Sequence, residues 1–304
     1  MPNIYSNENT LRSNSDTAHR EVYALTYQKD GKLLIGGKFN YVNGNLRNSI
    51  VRLNADGTVD KDFLDSNNGL NGEVYDIKVT NNNDIYIGGY FTAYNSIENV
   101  NGLVKINNDG NSLDTIKSLS SNYKLAVVND IEFMDGLIIL GGLFVDHADK
   151  ESGIIVLNAL DNTINKLMTD RLQVTGQVFD TCIANNSIYV GGKFKENINN
   201  SQKANIAIFQ KNGDISKDND TLPNINGYVY DIQINDATTY IAGDFMYKVK
   251  AENHDNLLVI KSDNKIAETQ LGLKEKIYSI SFFDNAIYLL SDSGLIKKYK
   301  KDIL

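Results

Sequence analysis

The chain has 304 residues, 41% of them hydrophobic, with no tryptophan, two prolines and a formal net charge of −8. That balance supplies enough apolar material for a core and weighs against nucleic acid and anionic membranes, since no basic patch exists beyond the terminal KKYKKD. The single cysteine, Cys182, excludes an intramolecular disulfide, and no run approaches ~18 consecutive apolar residues, so no membrane insertion is expected.

From the N-terminus, MPNIYSNENTLRSNSD has no basic start followed by an apolar stretch, which predicts the absence of a classical signal peptide. EVYALTY at 21 then reads as an alternating strand, followed by a turn, QKDG, and a second strand, KLLIGGKF. The same grammar returns as DIYIGGYF, LIILGGLF, SIYVGGKF and TTYIAGDF, and in degenerate form as IYLLSDSG. The first glycine positions are Gly36, Gly88, Gly141 and Gly191, with Ala242 and Leu290 in their place thereafter, at spacings of 48 to 53 residues. A period near 50 containing several short strands predicts a β-propeller. Blade repeats fall near 21–72, 73–126, 127–176, 177–227, 228–276 and 277–304.

Within each repeat the order is an inner strand such as EVYDIKV, a tight turn, the glycine strand, a longer loop, a third strand such as GLVKINN, and a weaker fourth. Asn, Asp and Gly at the turns accept the positive φ of short hairpins, which predicts antiparallel pairing. The fold class expected is all-β: a six-bladed β-propeller of four-stranded antiparallel blades forming a single domain, 1–304. A strand within residues 1–14 is expected to complete the last blade, with Leu11 where Phe63 sits in the first repeat. The glycines are expected to let neighbouring blades approach, with Phe39, Phe91, Phe144, Phe194 and Phe245 filling the space further out. Gly36-Gly37-Lys38 lacks the Lys-Ser/Thr pair and following helix of a phosphate loop, and no cofactor is expected.

The inner V-x-x-I strand, the I-x-x-G-G-x-F strand and the hairpin RLNADGTVDKDF at 52–63 together resemble the delta-60 repeat β-propeller family, a domain of unknown function. That resemblance implies a module of bacterial surface proteins and phage structural proteins, without established catalytic residues. It makes a non-catalytic, tail-associated virion protein the expected function, with other tail proteins, or a surface glycan or protein, as partners. Without a virion the location would be cytoplasmic or surface-associated. The alternatives are a six-bladed lactonase-like metal-dependent hydrolase and a bacterial surface adhesin.

Asp76, Asp130, Asp180 and Asp231 share one position of the inner strand. They read either as an acidic girdle able to hold a cation or, preferably, as acceptors for backbone N–H groups of the next blade. NADGTVD and NNDGNSLD imitate a calcium loop but place Arg52 and Lys105 where the first carboxylate should stand. Asp146, His147, Asp149 and Glu151 lie in one loop without a second ligand-bearing motif, and with three histidines in the chain no triad can be assembled from spacing. Recognition is expected on the face carrying the loops between the second and third strands, at Tyr41, Asn45, Arg47, Tyr94, Asp146, His147, Lys195, Tyr247 and His254.

Overall fold

The computed structural model describes residues 11–12, 21–64, 69–95, 97–196, 204–249, 252–263, 265–267, 273–294 and 296–300. Each of the six repeats forms a small antiparallel sheet. The first comprises Glu21–Tyr27, Leu33–Lys38 and Ile50–Leu53; the second Glu73–Val79, Ile85–Tyr90, Leu103–Ile106 and Ser112–Thr115. The third is Tyr123–Met134, Leu137–Asp146 and Glu151–Asn158; the fourth Val174–Ala184, Ser187–Glu196 and Ala204–Gln210. The fifth is Asn226–Asn235, Thr238–Val249 and Glu252–Ile260; the sixth Ile277–Phe283, Ala286–Ser291 and Ile296–Lys300. The chain divides into two compact units, one of residues 1–131, 144–150 and 157–164, the other of 132–143, 151–156 and 165–304.

Within the last four sheets the first and second strands are joined by the turns that the sequence demands. Asp135-Gly136, Asn185-Asn186, Asp236-Ala237 and Asp284-Asn285 all have positive φ at both positions. This matches the right-handed twist of the flanking strands, and Asn and Asp tolerate it because their short polar side chains bond locally.

The four-stranded blade is complete among the described residues only in the second repeat. In the first, third, fourth and fifth repeats the fourth strand shrinks to a single bridge: Leu53 to Val59, Leu157 to Ile164, Phe209 to Ile215 and Ile260 to Ile266. In the third and fourth repeats capping ends the strand: Asn165 accepts the N–H of Met168, and Ser216 that of Asp218, so a short helix starts directly after the bridge and diverts the chain.

The N-terminal strand also departs from expectation. Leu11–Arg12 pairs with Tyr41–Val42, Leu11 opposite Val42. In the second repeat Leu70 bridges Tyr94, which follows Phe91 by the same three residues that separate Val42 from Phe39. Leu11 therefore takes the place of Leu70, not of Phe63, and its strand belongs to a small sheet with the Tyr41–Val42 and Asn45–Leu46 hairpin rather than to the sixth. The rest of the segment 1–14 lies outside the described residues.

The inner strands of five repeats carry a register shift that explains the V-x-x-I spacing. A regular strand repeats every two residues, so a valine and an isoleucine three apart would face opposite sides. In the second repeat one residue, Tyr75, is bulged between Val74, opposite Gly89, and Asp76, opposite Gly88. The bulge resets the phase, and Val74 and Ile77 are both fully buried. The same extra residue is Tyr23, Phe179, Tyr230 and Tyr278 in the first, fourth, fifth and sixth repeats.

The two glycines of the motif have different neighbours. A Cβ on Gly88 would lie 2.7 Å from Val128 Cγ1, and one on Gly191 2.5 Å from Val229 Cγ1, so the first glycine seats the valine of the following repeat. A Cβ on Gly89 would fall on the carbonyl oxygen of Glu73, and one on Gly192 on that of Gln177, within the same sheet. The second glycine thus accommodates the bulge rather than a neighbouring blade. Phe39, Phe91, Phe144, Phe194 and Phe245 are at most 3% exposed. Burial of such a side chain contributes about 1.5–3 kcal/mol.

Candidate functional site

The inner-strand carboxylates are engaged with backbone. Asp76 Oδ2 accepts the N–H of Ile131 at 3.0 Å and its Oδ1 that of Ile77 at 2.8 Å. Asp180 Oδ2 accepts from Ile232 at 2.6 Å, and Asp231 Oδ2 from Ile280 at 2.5 Å. The bonds from Ile131, Ile232 and Ile280 each span about one repeat and stitch an inner strand to the next within a unit. Asp130 is buried, with Lys78 Nζ at 3.9 Å from its Oδ1. Burial, and then the Asp130 charge, raise the Asp76 carboxyl to about 7, against the opposing pull of Lys78 and the two N–H donors.

The residues expected to form a recognition face are divided between the two units and differ widely in exposure. Tyr41 and Asn45 sit in one two-stranded hairpin, half-buried, each opposite a residue of the other strand. Arg47 is only 4% exposed and its guanidinium donates to the Leu46 carbonyl at 2.7 Å. Tyr94 is fully buried and donates its hydroxyl to the Gly110 carbonyl; Tyr247 is 2% exposed and donates to the Leu257 carbonyl. These three are packing residues, because the segments after the glycine strand fold back as hairpins instead of standing out as loops.

Asp146 Oδ1 accepts the N–H groups of Ala148 and Lys150, which close a turn under the exposed His147 and hold the carboxyl below its ordinary value. Asp149, beyond it, is paired with Lys124. Lys195 is exposed on its strand. His254 is half-buried and stacks on Tyr247, centroids 5.2 Å apart. Among the described residues no group of three or more His, Cys, Asp or Glu side chains lies close enough to hold a metal. The NADGTVD segment is a turn in which Asp56 Oδ1 accepts the N–H of Thr58 at 2.9 Å, and Arg52 is buried against Asp60.

What lies open instead, in the first unit, is a cleft of about 630 Å³ lined by Lys38, Asn48, Asn71, Glu73, Tyr90 and Thr92 among others. Lys38 Nζ stands 2.5 Å from Glu73 Oε1, and this hydrogen bond holds the ammonium above its ordinary value. Tyr90 is 52% exposed at the rim. Asn71 Oδ1 accepts from Thr92 and Ala93, fixing the wall. Beside it the bulged Tyr75 donates to Glu73 at 2.9 Å and meets the bulged Tyr23 edge-on, centroids 5.4 Å apart.

The bulged aromatics escaped the sequence reading. The signal was present: the residue after the inner-strand valine or isoleucine is aromatic in five of six repeats, and the three-residue V-x-x-I spacing is not that of a regular strand.

Two stretches of the chain, 28–63 and 80–115, match the model of a beta-propeller domain of unknown function, DUF5122. They fall within the first two repeats, where the motifs are fullest, and leave out the inner strands. No curated protein sequence matches. Among solved structures, the computationally designed Ika8 protein is similar over 92% of this chain and 70% of its own, at 13% identity and a TM-score of 0.53. Sqt1 of Saccharomyces cerevisiae is similar over 92% and 72%, at 11% identity and a TM-score of 0.50. The WD40 beta propeller domain of Doa1 is similar over 96% of both chains, at 13% identity and a TM-score of 0.47. The chain is thus a β-protein of propeller-type repeats.

Proposed function

We propose that the protein is a non-catalytic recognition module, with the surface around the inner-strand bulges as its partner-facing surface. One observation carries this reading. The carboxylates that could do chemistry, Asp76, Asp180 and Asp231, each accept a backbone N–H of the next repeat, while the neighbouring position projects a partly exposed aromatic ring. Rigid aromatic side chains on a fixed scaffold give contact area at little conformational cost, which suits binding rather than bond-making. The Lys38–Glu73 cleft with Tyr90 at its rim is the recess of that surface in the first unit.

The finer reading is that residues 1–304 form one six-bladed domain that serves as a tail-associated component of a virion. Its support is the repeat count and the resemblance of the motifs. The test is to isolate the native protein after mild cross-linking and identify what it carries. A partner lost when Tyr90→Ala and Glu73→Gln are introduced, at unchanged melting temperature, supports the module and its surface. A partner retained by both, and lost on changes at the tight-turn end such as Lys211→Glu, places recognition elsewhere. Turnover of an ester or lactone panel by the isolated protein overturns the non-catalytic reading.

A further inference from the structure

In the second unit the bulged Phe179, Tyr230 and Tyr278 form a continuous array with Tyr228, which is paired in register opposite Asp244. Tyr230 lies between Tyr228 and Tyr278: its ring is 6.0 Å from the first at 20° and 5.3 Å from the second at 30°, both offset stacks. Phe179 closes the side, tilted at 5.6 Å from Tyr230. Lys193 covers one end, its ammonium 4.8 Å from the Tyr228 centroid. At the other end Tyr278 is 45% exposed, and Tyr228 is 39% exposed. Beside the array Lys276 and Asp244 form an ion pair at 2.8 Å, with about two fifths of each side chain exposed.

We propose that this array is a binding subsite for a neutral oligosaccharide, the C–H face of one sugar ring stacking on Tyr278 and its hydroxyls bonding to Lys276 and Asp244. The inference rests on the recognition reading above and gives it a ligand class. Three features favour that class. A tyrosine face flanked by its own hydroxyl presents an apolar plate with a polar edge, which is the pattern of a pyranose ring. The adjoining ion pair offers donors and acceptors with no net charge, so it matches a ligand rich in both and itself uncharged. Single-stranded nucleic acid also stacks on aromatics, but it needs a basic groove, and here Lys276 is already neutralised by Asp244 in a chain of net charge −8.

The arrangement also recurs. In the first unit the bulged Tyr23 and Tyr75 meet beside a second exposed ion pair, Lys38–Glu73. A repeated subsite of one chemistry suits a polymer of repeating units.

The test uses the intact chain with maltohexaose, cellohexaose and chitohexaose, and decaproline as the aromatic-binding peptide control. Binding is read by calorimetry and by tyrosine fluorescence, the chain having 17 tyrosines and no tryptophan. Saturable binding of at least one hexasaccharide is expected. Tyr278→Ala should weaken it by about tenfold or more, the loss of one stacking contact and its hydrogen-bonding edge. Tyr27→Ala, at a tyrosine 74% exposed in the first unit, should leave it unchanged. Tyr278→Phe keeps the plate and serves if the alanine variant fails to fold; it should retain most of the affinity. Binding of none of the three sugars, or binding indifferent to Tyr278→Ala, overturns the proposal. Decaproline binding that Tyr278→Ala abolishes, without sugar binding, overturns the ligand class while leaving the recognition surface standing.

Discussion

Asp76 accepts the backbone N–H of Ile131, 55 residues further along the chain, at 3.0 Å. One carboxylate thereby satisfies a backbone donor of the following repeat, and Asp180 with Ile232 and Asp231 with Ile280 repeat the bond. A buried N–H left without an acceptor costs about 1–3 kcal/mol, so the aspartates are structural clamps.

The Asp76 clamp should make stability depend on pH. Its carboxyl is raised from 3.8 to about 7, by burial and then by Asp130, so the folded chain holds its proton more tightly than the unfolded chain. The contribution is fully present below about pH 4 and is lost as the pH rises towards about 7. Asp76→Asn should flatten the stability profile across this window and lower it overall, because the amide nitrogen cannot accept the second N–H. Asp130→Asn should move the Asp76 titration down, read by carboxyl NMR; a titration that stays in place refutes the coupling.

The two glycines should respond differently to the same change. Gly88→Ala pushes on the Val128 side chain and should cost about 1–3 kcal/mol, with part of the loss recovered in the double variant Gly88→Ala/Val128→Ala. Gly89→Ala meets the Glu73 carbonyl, which cannot move without breaking the bulge, and should cost more than Gly88→Ala. No side-chain truncation should rescue it. Urea denaturation of these three variants decides the matter.

Arg52 donates to Asp60 at 2.8 Å with both side chains at most 5% exposed, and its guanidinium lies 4.3 Å from the Phe63 ring centroid. Arg52→Met should cost about 3–5 kcal/mol by leaving the buried Asp60 charge short of a partner. Arg52→Met/Asp60→Leu should cost less than the single change. Burial pushes the Asp60 carboxyl up, but Lys32, the Asp62 N–H and Arg52 outweigh it and hold it below its ordinary value. Its contribution is present above the usual carboxylate range and is lost in acid, and the double variant should lose that acid dependence.

Tyr94→Ala removes a fully buried ring and should destabilise by about 3–5 kcal/mol. Tyr94→Phe removes only the hydroxyl bonded to Gly110 and should cost about 0.5–1.5 kcal/mol. A Tyr94→Ala variant with unchanged melting temperature would return this residue to the surface.

Val22 and Leu25 stand in the first repeat where Val74 and Ile77 stand in the second, yet they are 40% and 59% exposed. If the six repeats form one ring, a neighbouring blade covers them in solution. Leu25→Lys should then lower stability by about 1–3 kcal/mol, whereas a surface position tolerates the change within about 0.5 kcal/mol.

Sequence alone determined the repeat, its strand order and its turns, because these depend on local chemistry: positive φ at Asp135-Gly136, alternation along EVYDIKV, and a glycine wherever a Cβ has no room. It also pointed to the phenylalanines as core and to the inner-strand carboxylates as backbone acceptors. Only the tertiary structure decided which glycine meets which neighbour, since Gly88 and Gly89 are equivalent in the motif but face opposite sides of a pleated strand. It decided the burial of Arg47, Tyr94 and Tyr247, whose polar tips read as surface until backbone carbonyls are found within reach. The candidate site depended on it most. A bulge is one extra residue in a register, and register is set by pairing between strands; it is that pairing that turns Tyr75 out of the alternation and towards Tyr23, and Tyr230 towards Tyr278.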